Sequence, residues 1–568
     1  MSQGLNLYRQ HLKICLCVIM KAKPWEGGKI IMKEKFARWN ILFLQYLKRD
    51  WKKIIIWVLG LGMFSAGFVP AFKEIAKGQG LVGMFETLQN PAMISMVGPT
   101  PVETGADYTL GAMYAHEMLL FCGLFAMIMS ILHVIGHTRK EEDLGLTELL
   151  RSFQIGRQAN SLAAIAEIVF INGILALFIA VVMISFGADT ISIFGSVLYG
   201  ASIGMAGIIG AGIALIMAQI MPTSSAATGS SLGIVGLLYI VRAGTDVSNV
   251  DLSMMNPLGW TYLTFPFTDN NWFPLIFALI FSIIVVFIAF SLEGGRDMGA
   301  GYLPQREGRE SAKQSLLSVR GLFININKGV IISWLIAYVV MGAAYGSIYG
   351  DMQTFLESNE MMKQMFSHTG FSIEESFTGT VMMVLIGLVS ILPIAIVNKL
   401  FSEERRLHLS QIYATKVTRS QLYWTSIGLS ILSGLLGVLL AAGSLGGTAI
   451  SAMGNSGEMD IVDFFAAGFN LFPTVLFFIG LAALALGWAP KLGKIVYIYL
   501  TFSFLLNYFS GLIDLPEWFL NTAIQSWMPQ MPMDDFEASV FLTVTIISIA
   551  LIVIGFLGYS RRDMNEGA

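Results

Sequence analysis

Two polar stretches set between long apolar runs carry the residue types best suited to strong, directed contacts. The first runs His137-Thr138-Arg139-Lys140-Glu141-Glu142, continues through Glu148-Leu149-Leu150 and closes at Ile155-Gly156-Arg157. The second runs Ser402-Glu403-Glu404-Arg405-Arg406, through Gln411-Ile412-Tyr413, to Val417-Thr418-Arg419. Glu141 and Glu403 lie 262 residues apart, and so do Arg157 and Arg419. Carboxylate and guanidinium groups at the ends of a short amphipathic helix make charge-assisted hydrogen bonds, roughly twice as strong as neutral ones. Repeated in this way, they read as two docking sites for one cytoplasmic partner of matching pseudo-symmetry.

Other chemistry is sparse. No G-x-x-x-x-G-K-[ST] phosphate loop occurs: neither Gly28-Lys29 nor Gly493-Lys494 is followed by Ser or Thr. Leu432-Ser433-Gly434-Leu435 lacks the rest of an ABC signature. The chain is therefore expected to be no enzyme, with no catalytic residue and no cofactor of its own. His133 and His137 flank the inner end of one apolar segment, but no further ligands follow at suitable spacing, so no metal site is expected. Cys15, Cys17 and Cys122 are too few for a disulfide framework.

The elements that position these stretches follow from composition. The 568 residues are 55% hydrophobic and 13% charged, with mean hydropathy +0.68. A soluble domain carries about 25% charged residues, so this is an integral membrane protein. Its long apolar segments do not alternate as barrel strands would, and a helix is the remaining way to satisfy the backbone in lipid. The expected fold is an all-α polytopic membrane protein of about twelve spans. They fall at 54–72, 112–135, 161–184, 193–220, 226–242 and 272–292, then 330–349, 376–399, 421–442, 462–487, 495–512 and 537–559. The fifth and eleventh are shortest and are candidates for broken or re-entrant helices.

With both termini placed inside, 31 of the 35 Lys and Arg residues fall in inner segments; the exceptions are Lys73, Lys77, Arg242 and Lys363. The positive-inside rule selects that orientation. Trp57 and Trp334 open corresponding spans, and Arg296-Asp297-Met298 and Arg562-Asp563-Met564 close corresponding ones. Six spans per half is an even number, so the repeat is parallel, about an axis along the membrane normal. The expected organisation is an extension over 1–31, an amphipathic interfacial helix over 32–53, a six-span domain over 54–292, a linker with an amphipathic helix over 293–329, and a second six-span domain over 330–568. Phe36, Trp39, Phe43 and Leu47 share one face of the first interfacial helix, with Lys35, Arg38, Lys48 and Arg49 elsewhere.

The run from His137 to Ala159, with Thr138-Arg139, Glu141-Glu142, Gly145, Glu148-Leu149 and Gly156-Arg157, resembles the permease of type-2 ABC exporters. The sub-group it looks like is that of exporters of polyketide antibiotics, the tetronasin-resistance type. Ser318-Val319-Arg320-Gly321-Leu322 leading to Trp334, and Tyr345-Gly346-Ser347, resemble that group's second-half opening. The resemblance covers roughly residues 32–568. It implies that the loop after the second span of each half docks on a cytoplasmic ABC ATPase subunit, present in two copies and carrying the ATP and Mg. Glu141, Glu142, Gly145, Glu148, Arg157, Glu403, Glu404 and Arg419 would then be coupling residues. The second stretch departs from the pattern, with Leu407 matching Gly145 and Ser410 matching Glu148.

Charges inside the spans cost about 2.5–3.5 kcal/mol or more at mid-bilayer. Glu117, beside His116 in the second span, and Arg242, ending the fifth, are candidates for a polar pathway or outer gate; Glu167 lies near the inner end of the third. Gly200, Gly204 and Gly207 share one face of the fourth span, as close helix packing requires. Asn256-Pro257-Leu258-Gly259-Trp260 and Leu515-Pro516-Glu517-Trp518 form similar outer loops.

The expected function is the multi-pass permease subunit of an ATP-driven exporter in a bacterial cell membrane. It would move a hydrophobic or amphipathic compound, antibiotic-like or lipid, and bind no nucleic acid. A proton-coupled twelve-span transporter is the first alternative, but the chain lacks the G-x-x-x-D-R-x-G-R-[RK] loop of major facilitators. A membrane sensor or immunity subunit that binds without transporting is the second.

Overall fold

A computed structural model describes residues 35–76, 80–89, 91–304, 311–351, 372–454, 459–508 and 516–563. The extension over 1–31, with Cys15 and Cys17, lies outside the described residues, as do Lys77 and Lys363. Among the described residues the secondary structure is helical, without strands. The chain is an all-α polytopic membrane protein. Eleven helices among the described residues are long and apolar enough to cross a membrane. The eleventh of the twelve expected segments is instead a 14-residue apolar helix, Ile495–Tyr508, bordering residues outside the described set.

The described residues form two compact units, one within 35–304 and one within 311–563, divided inside the expected linker. In the first, a single helix runs from Trp39 to Ala66 without a break near residue 53, where the sequence reading separates an interfacial helix from a span. In the second, Val319–Ser347 likewise carries the amphipathic stretch straight into the span. The fifth span, expected to be short, is a 25-residue helix, Ser224–Ser248, begun by a Thr223 side-chain cap.

Prolines account for two interruptions. The eighth span is two helices, Ile373–Val389 and Ile391–Arg405, parted at Ser390; Pro393 cannot donate to the carbonyl of Val389 and crowds it. The tenth is Ile461–Asn470 and Phe472–Trp488, parted at Leu471 just before Pro473.

The same neighbours recur in both units. The first span packs on the third and the fourth on the sixth; the seventh packs on the ninth and the tenth on the twelfth. The fourth span, Ile193–Ile220, is the buried axis of the first unit. Its glycine face lies against the third span: a Cβ on Gly204 would sit 2.9 Å from the Asn172 carbonyl oxygen and 3.2 Å from the Ala176 methyl. Backbones this close exclude side chains.

Replacing Gly204 by Leu is expected to cost about 1–3 kcal/mol through overpacking. It should lower the unfolding temperature of the detergent-solubilised chain. Gly229, with nothing within 4 Å of its added Cβ, is the control; equal effects of Gly204→Leu and Gly229→Leu would contradict the packing argument.

Candidate functional site

Each repeated polar stretch folds into a short helix hung beneath its unit. In the first, Leu110–His137 passes into Arg139–Asp143, turns at Gly145 with φ 71°, and continues as Leu146–Arg151. In the second, Ile391–Arg405 turns at Leu407 with φ 64° and continues as His408–Tyr413. Leu407, which stands where the first stretch has Gly145, thus adopts the same left-handed turn. A β-carbon there meets steric strain that glycine avoids, so the second loop holds its shape at a cost.

The acidic pairs do not lie free on the loop surface. Glu142 accepts two parallel bonds from Arg296, Nη1 to Oε1 and Nη2 to Oε2, each 2.7 Å. The Gly299 amide donates to the same carboxylate at 2.7 Å and Arg139 at 3.1 Å. Arg157 in turn donates to the Arg296 backbone carbonyl. The second unit repeats this clasp: Arg562 grips Glu404 at 2.7 and 2.5 Å, and Arg419 donates to the Arg562 carbonyl at 2.6 Å. Arg296 and Arg562 are the C-cap residues of the sixth and twelfth spans. A cation there meets the carbonyls that a helix end leaves unpaired and the negative end of its dipole.

The two clasps differ in support. Arg296 Nε donates to Gln219 at 2.7 Å, whereas Arg562 Nε has no partner. Arg139 is almost fully buried and holds the carbonyls of Pro222 and Gly299 at 2.5 and 2.9 Å.

Glu141 turns the other way, into the unit. It is buried, pairs with Arg49 at 2.8 Å and accepts from the Tyr46 hydroxyl at 3.1 Å. Its counterpart Glu403 is buried between Lys399 at 3.1 Å and His408 at 2.6 Å. What the first loop offers outward is Leu144, Gly145, Glu148 and Leu149, with Lys140, Asp143 and Arg157 around them. The second offers Arg405, Arg406, Leu407, His408, Gln411 and Lys416. Of the expected coupling residues, Gly145, Glu148 and Arg157 are therefore exposed, Glu142 and Arg419 are half-buried, and Glu141, Glu403 and Glu404 are buried.

The expected gate residues are not brought together: no ion pair joins Glu117 to Arg242 among the described residues. Arg242 does not end its helix, which runs six residues further, and it is fully buried. It pairs with Asp246 at 2.7 Å and donates to the carbonyls of Ser95 and Met96 at 2.5 and 2.7 Å. The Tyr262 hydroxyl donates to the same Asp246 carboxylate at 2.7 Å; burial, and the carboxylate beside it, hold that phenol's pKa well above its usual value. His116 donates to or accepts from Tyr108 at 2.9 Å and holds the Gly98 carbonyl at 3.0 Å. Arg242 and His116 thus pin the same segment, Ser95–Gly98. Glu117 leaves one buried carboxylate oxygen unpartnered.

The outer loops form short helices, and one pairing differs from the sequence reading. Trp260 Nε1 donates six residues back to the Met254 carbonyl, and Trp527 Nε1 six back to Asn521. Trp527, rather than Trp518, is by this bond the structural counterpart of Trp260.

Residues 316–560 match the family described as multidrug efflux system permease Rv1217c, C-terminal domain. Over 527 residues the chain is 25% identical to the multidrug efflux system permease protein Rv1217c of Mycobacterium tuberculosis. The likeness spans 91% of this chain and 94% of that protein. The family match includes Glu404 and Arg419 and stops two residues before Arg562.

Breaking a buried ion pair by removing one partner costs about 3–5 kcal/mol, because the other charge is stranded. This pair is half-buried and Glu142 keeps Arg139 and the Gly299 amide, so Glu142→Ala and Arg296→Ala are each expected to destabilise the first unit by less, about 1–3 kcal/mol. A double-mutant cycle should return a coupling of about 0.5–3 kcal/mol. Additive losses in denaturant unfolding would show that the two residues act independently.

Proposed function

We propose that the chain is the permease subunit of an ATP-driven exporter, with two six-span halves in one polypeptide and a separate ATPase bound beneath both polar loops. The observation that carries this reading is the likeness to an efflux permease over nearly the whole of both chains. The duplicated loops supply the second support. Each presents a short exposed helix, and each is tied by an Arg–Glu clasp to the end of the last span of its unit. A force applied to the loop by a soluble partner would reach two helices at once, the one before the loop and the one it is clasped to.

This reading divides the expected coupling residues by role. Glu148, Leu144 and Leu149 are contact residues on the outer face of the first loop. Glu142, Glu404, Arg157 and Arg419 act behind that face, transmitting load through the clasps. The two loops also differ in charge. Exposed Lys140 and Arg157 are balanced by Asp143 and Glu148 in the first, while the second exposes Arg405, Arg406 and Lys416 and buries both its carboxylates. A partner with one repeated surface would meet the two loops with unequal strength.

The inward bias of Lys and Arg supports an orientation in which both loops, both termini and the ATPase would lie on the cytoplasmic side of the cell membrane. ATP binding would favour one partner geometry and shift the two halves between inward- and outward-open states. The substrate class in this reading is hydrophobic or amphipathic, an antibiotic-like or ionophore-like compound or a lipid; the sequence resemblance to polyketide-antibiotic exporters supports the first of these.

Reconstituted in sealed vesicles, the chain alone should move no amphipathic dye with ATP or with a proton gradient. Adding its ATPase should give ATP-dependent transport away from the face bearing Arg157 and Arg419, and a hydrolysis-dead ATPase that still binds should give none. Glu148→Ala with Leu149→Ala should weaken ATPase association more than Arg405→Ala with Arg406→Ala. Gradient-driven transport without any ATPase would replace this reading with that of a secondary transporter.

A further inference from the structure

Beneath the first unit, three helices bring together a set of metal-ligating side chains that the sequence scatters over more than a hundred positions. His133 and His137 lie one turn apart on the second span, Glu167 projects from the third, and Asp50 from the first. All four are buried. His133 Nε2 stands 3.0 Å from Glu167 Oε2, and His137 Nε2 stands 3.0 Å from Asp50 Oδ2 and 3.9 Å from Glu167 Oε2. One ligand atom from each of His133, His137 and Glu167 lies within 4.8 Å of the others.

We propose that this cluster is a site for a divalent transition-metal ion, zinc by its ligand set, held by His133, His137, Glu167 and Asp50. Zinc takes nitrogen and oxygen ligands at about 2.0–2.2 Å in a tetrahedron, which sets the ligand atoms about 3.3 Å apart. Three of the separations here bracket that value. Glu167 adds an independent sign: it is completely buried, yet its Oε1 has no hydrogen-bond partner. Charge points the same way. Asp50, Glu141 and Glu167 bury three carboxylates around one guanidinium, that of Arg49; Lys53 reaches Asp50 at 2.6 Å from a largely exposed position. A divalent cation brings the buried set to neutrality, and buried charges persist only when compensated.

A metal on His137 Nε2 requires the ring proton on Nδ1; the carboxylate available to accept it is Glu141, whose Oε1 lies 3.6 Å away and must close on the ring as the ion enters. Arg49 Nη2 faces both ring nitrogens, Nδ1 and, at 3.3 Å, Nε2, so the ion would displace that arm of the guanidinium while the other keeps its 2.8 Å bond to Glu141. The edge of the Trp57–His133 ring pair, at 5.5 Å, restrains the other imidazole. Among its described residues the second unit has no such set. At the same 262-residue spacing, His133 becomes Ala395, His137 becomes Lys399 and Glu167 becomes Leu429. There a built-in ammonium, Lys399, neutralises Glu403. The ion would tie the first three spans together directly above the first loop, and the proposal does not rest on the transport reading.

The test uses the full chain in detergent, with any purification tag removed, stripped by a chelator and reloaded with Zn²⁺ or Co²⁺ alone. About one ion per chain should be retained through gel filtration, Zn²⁺ should raise the unfolding temperature, and Co²⁺ should show the intense visible bands of a tetrahedral site. Retention and bands should be lost in His133→Asn and in Asp50→Asn, and kept in Glu148→Gln. Absence of the tetrahedral cobalt spectrum from the unsubstituted chain overturns the proposal whatever the variants do. So does retention unchanged in a folded His133→Asn or Asp50→Asn protein, which would place the ion elsewhere. Either result leaves the cluster as a salt-bridge network closed by a protonated histidine.

Discussion

The bidentate grip of an arginine at the end of one helix on a glutamate at the end of another organises the polar end of each unit. Arg296 and Glu142 are 154 residues apart, and Arg562 and Glu404 are 158 apart. Each grip joins the last span of a unit to the loop after its second. The carbonyl of the gripping arginine is then taken by Arg157 or Arg419, at the start of the third span. Three segments therefore meet at one residue, whose side chain and backbone are both committed. Such an arrangement works because a helix end in or near lipid must find partners for its terminal carbonyls. Arginine can satisfy a carboxylate in two places while a neighbour satisfies its carbonyl.

That constraint explains why the repeated polar stretches look like surface motifs and are largely interior ones. A glutamate pair at a loop suggests two solvent-facing charges. Adjacent residues on a helix are about 100° apart, however, so Glu141 and Glu142 cannot share a direction. One enters the cluster with Arg49 and the other enters the clasp. The exposed remainder, Leu144, Glu148 and Leu149 in one unit and Arg405, Arg406 and Leu407 in the other, is where the two loops diverge in sequence and charge. The shared part builds the loop, and the divergent part meets the outside.

The same separation of roles runs through the first unit. Its packing rests on glycine faces such as that of the fourth span, which bring backbones together. Besides the clasp, two buried charge groups lie at opposite ends of its spans, one around Asp246 and Arg242 and one around Glu167 and His137. Each group draws on segments distant in sequence, so each acts as a lock on packing that apolar contact alone does not orient.

The sequence by itself determined the class, the number of long apolar segments to within one, the duplication and the two polar loops. These follow from local quantities: hydropathy over about 20 residues, small-residue spacing along a helix, and the recurrence of motifs at 262 residues. Hydropathy also reported the breaks at Pro393 and Pro473 poorly, since both segments stay apolar through the interruption. Only the tertiary structure decided which charges are partners. The repeat marks Arg296 and Arg562 as corresponding residues, but nothing local says that they hold Glu142 and Glu404, and nothing in the spacing of His133 and His137 points to Asp50 or Glu167. The same holds for Arg242, which reads as an outer-face residue and is buried on Asp246, and for Trp527, whose bond displaces Trp518 as the match to Trp260. Pairing depends on which helices touch and at what rotation, and that is set by packing over the whole unit, which no window of the sequence contains.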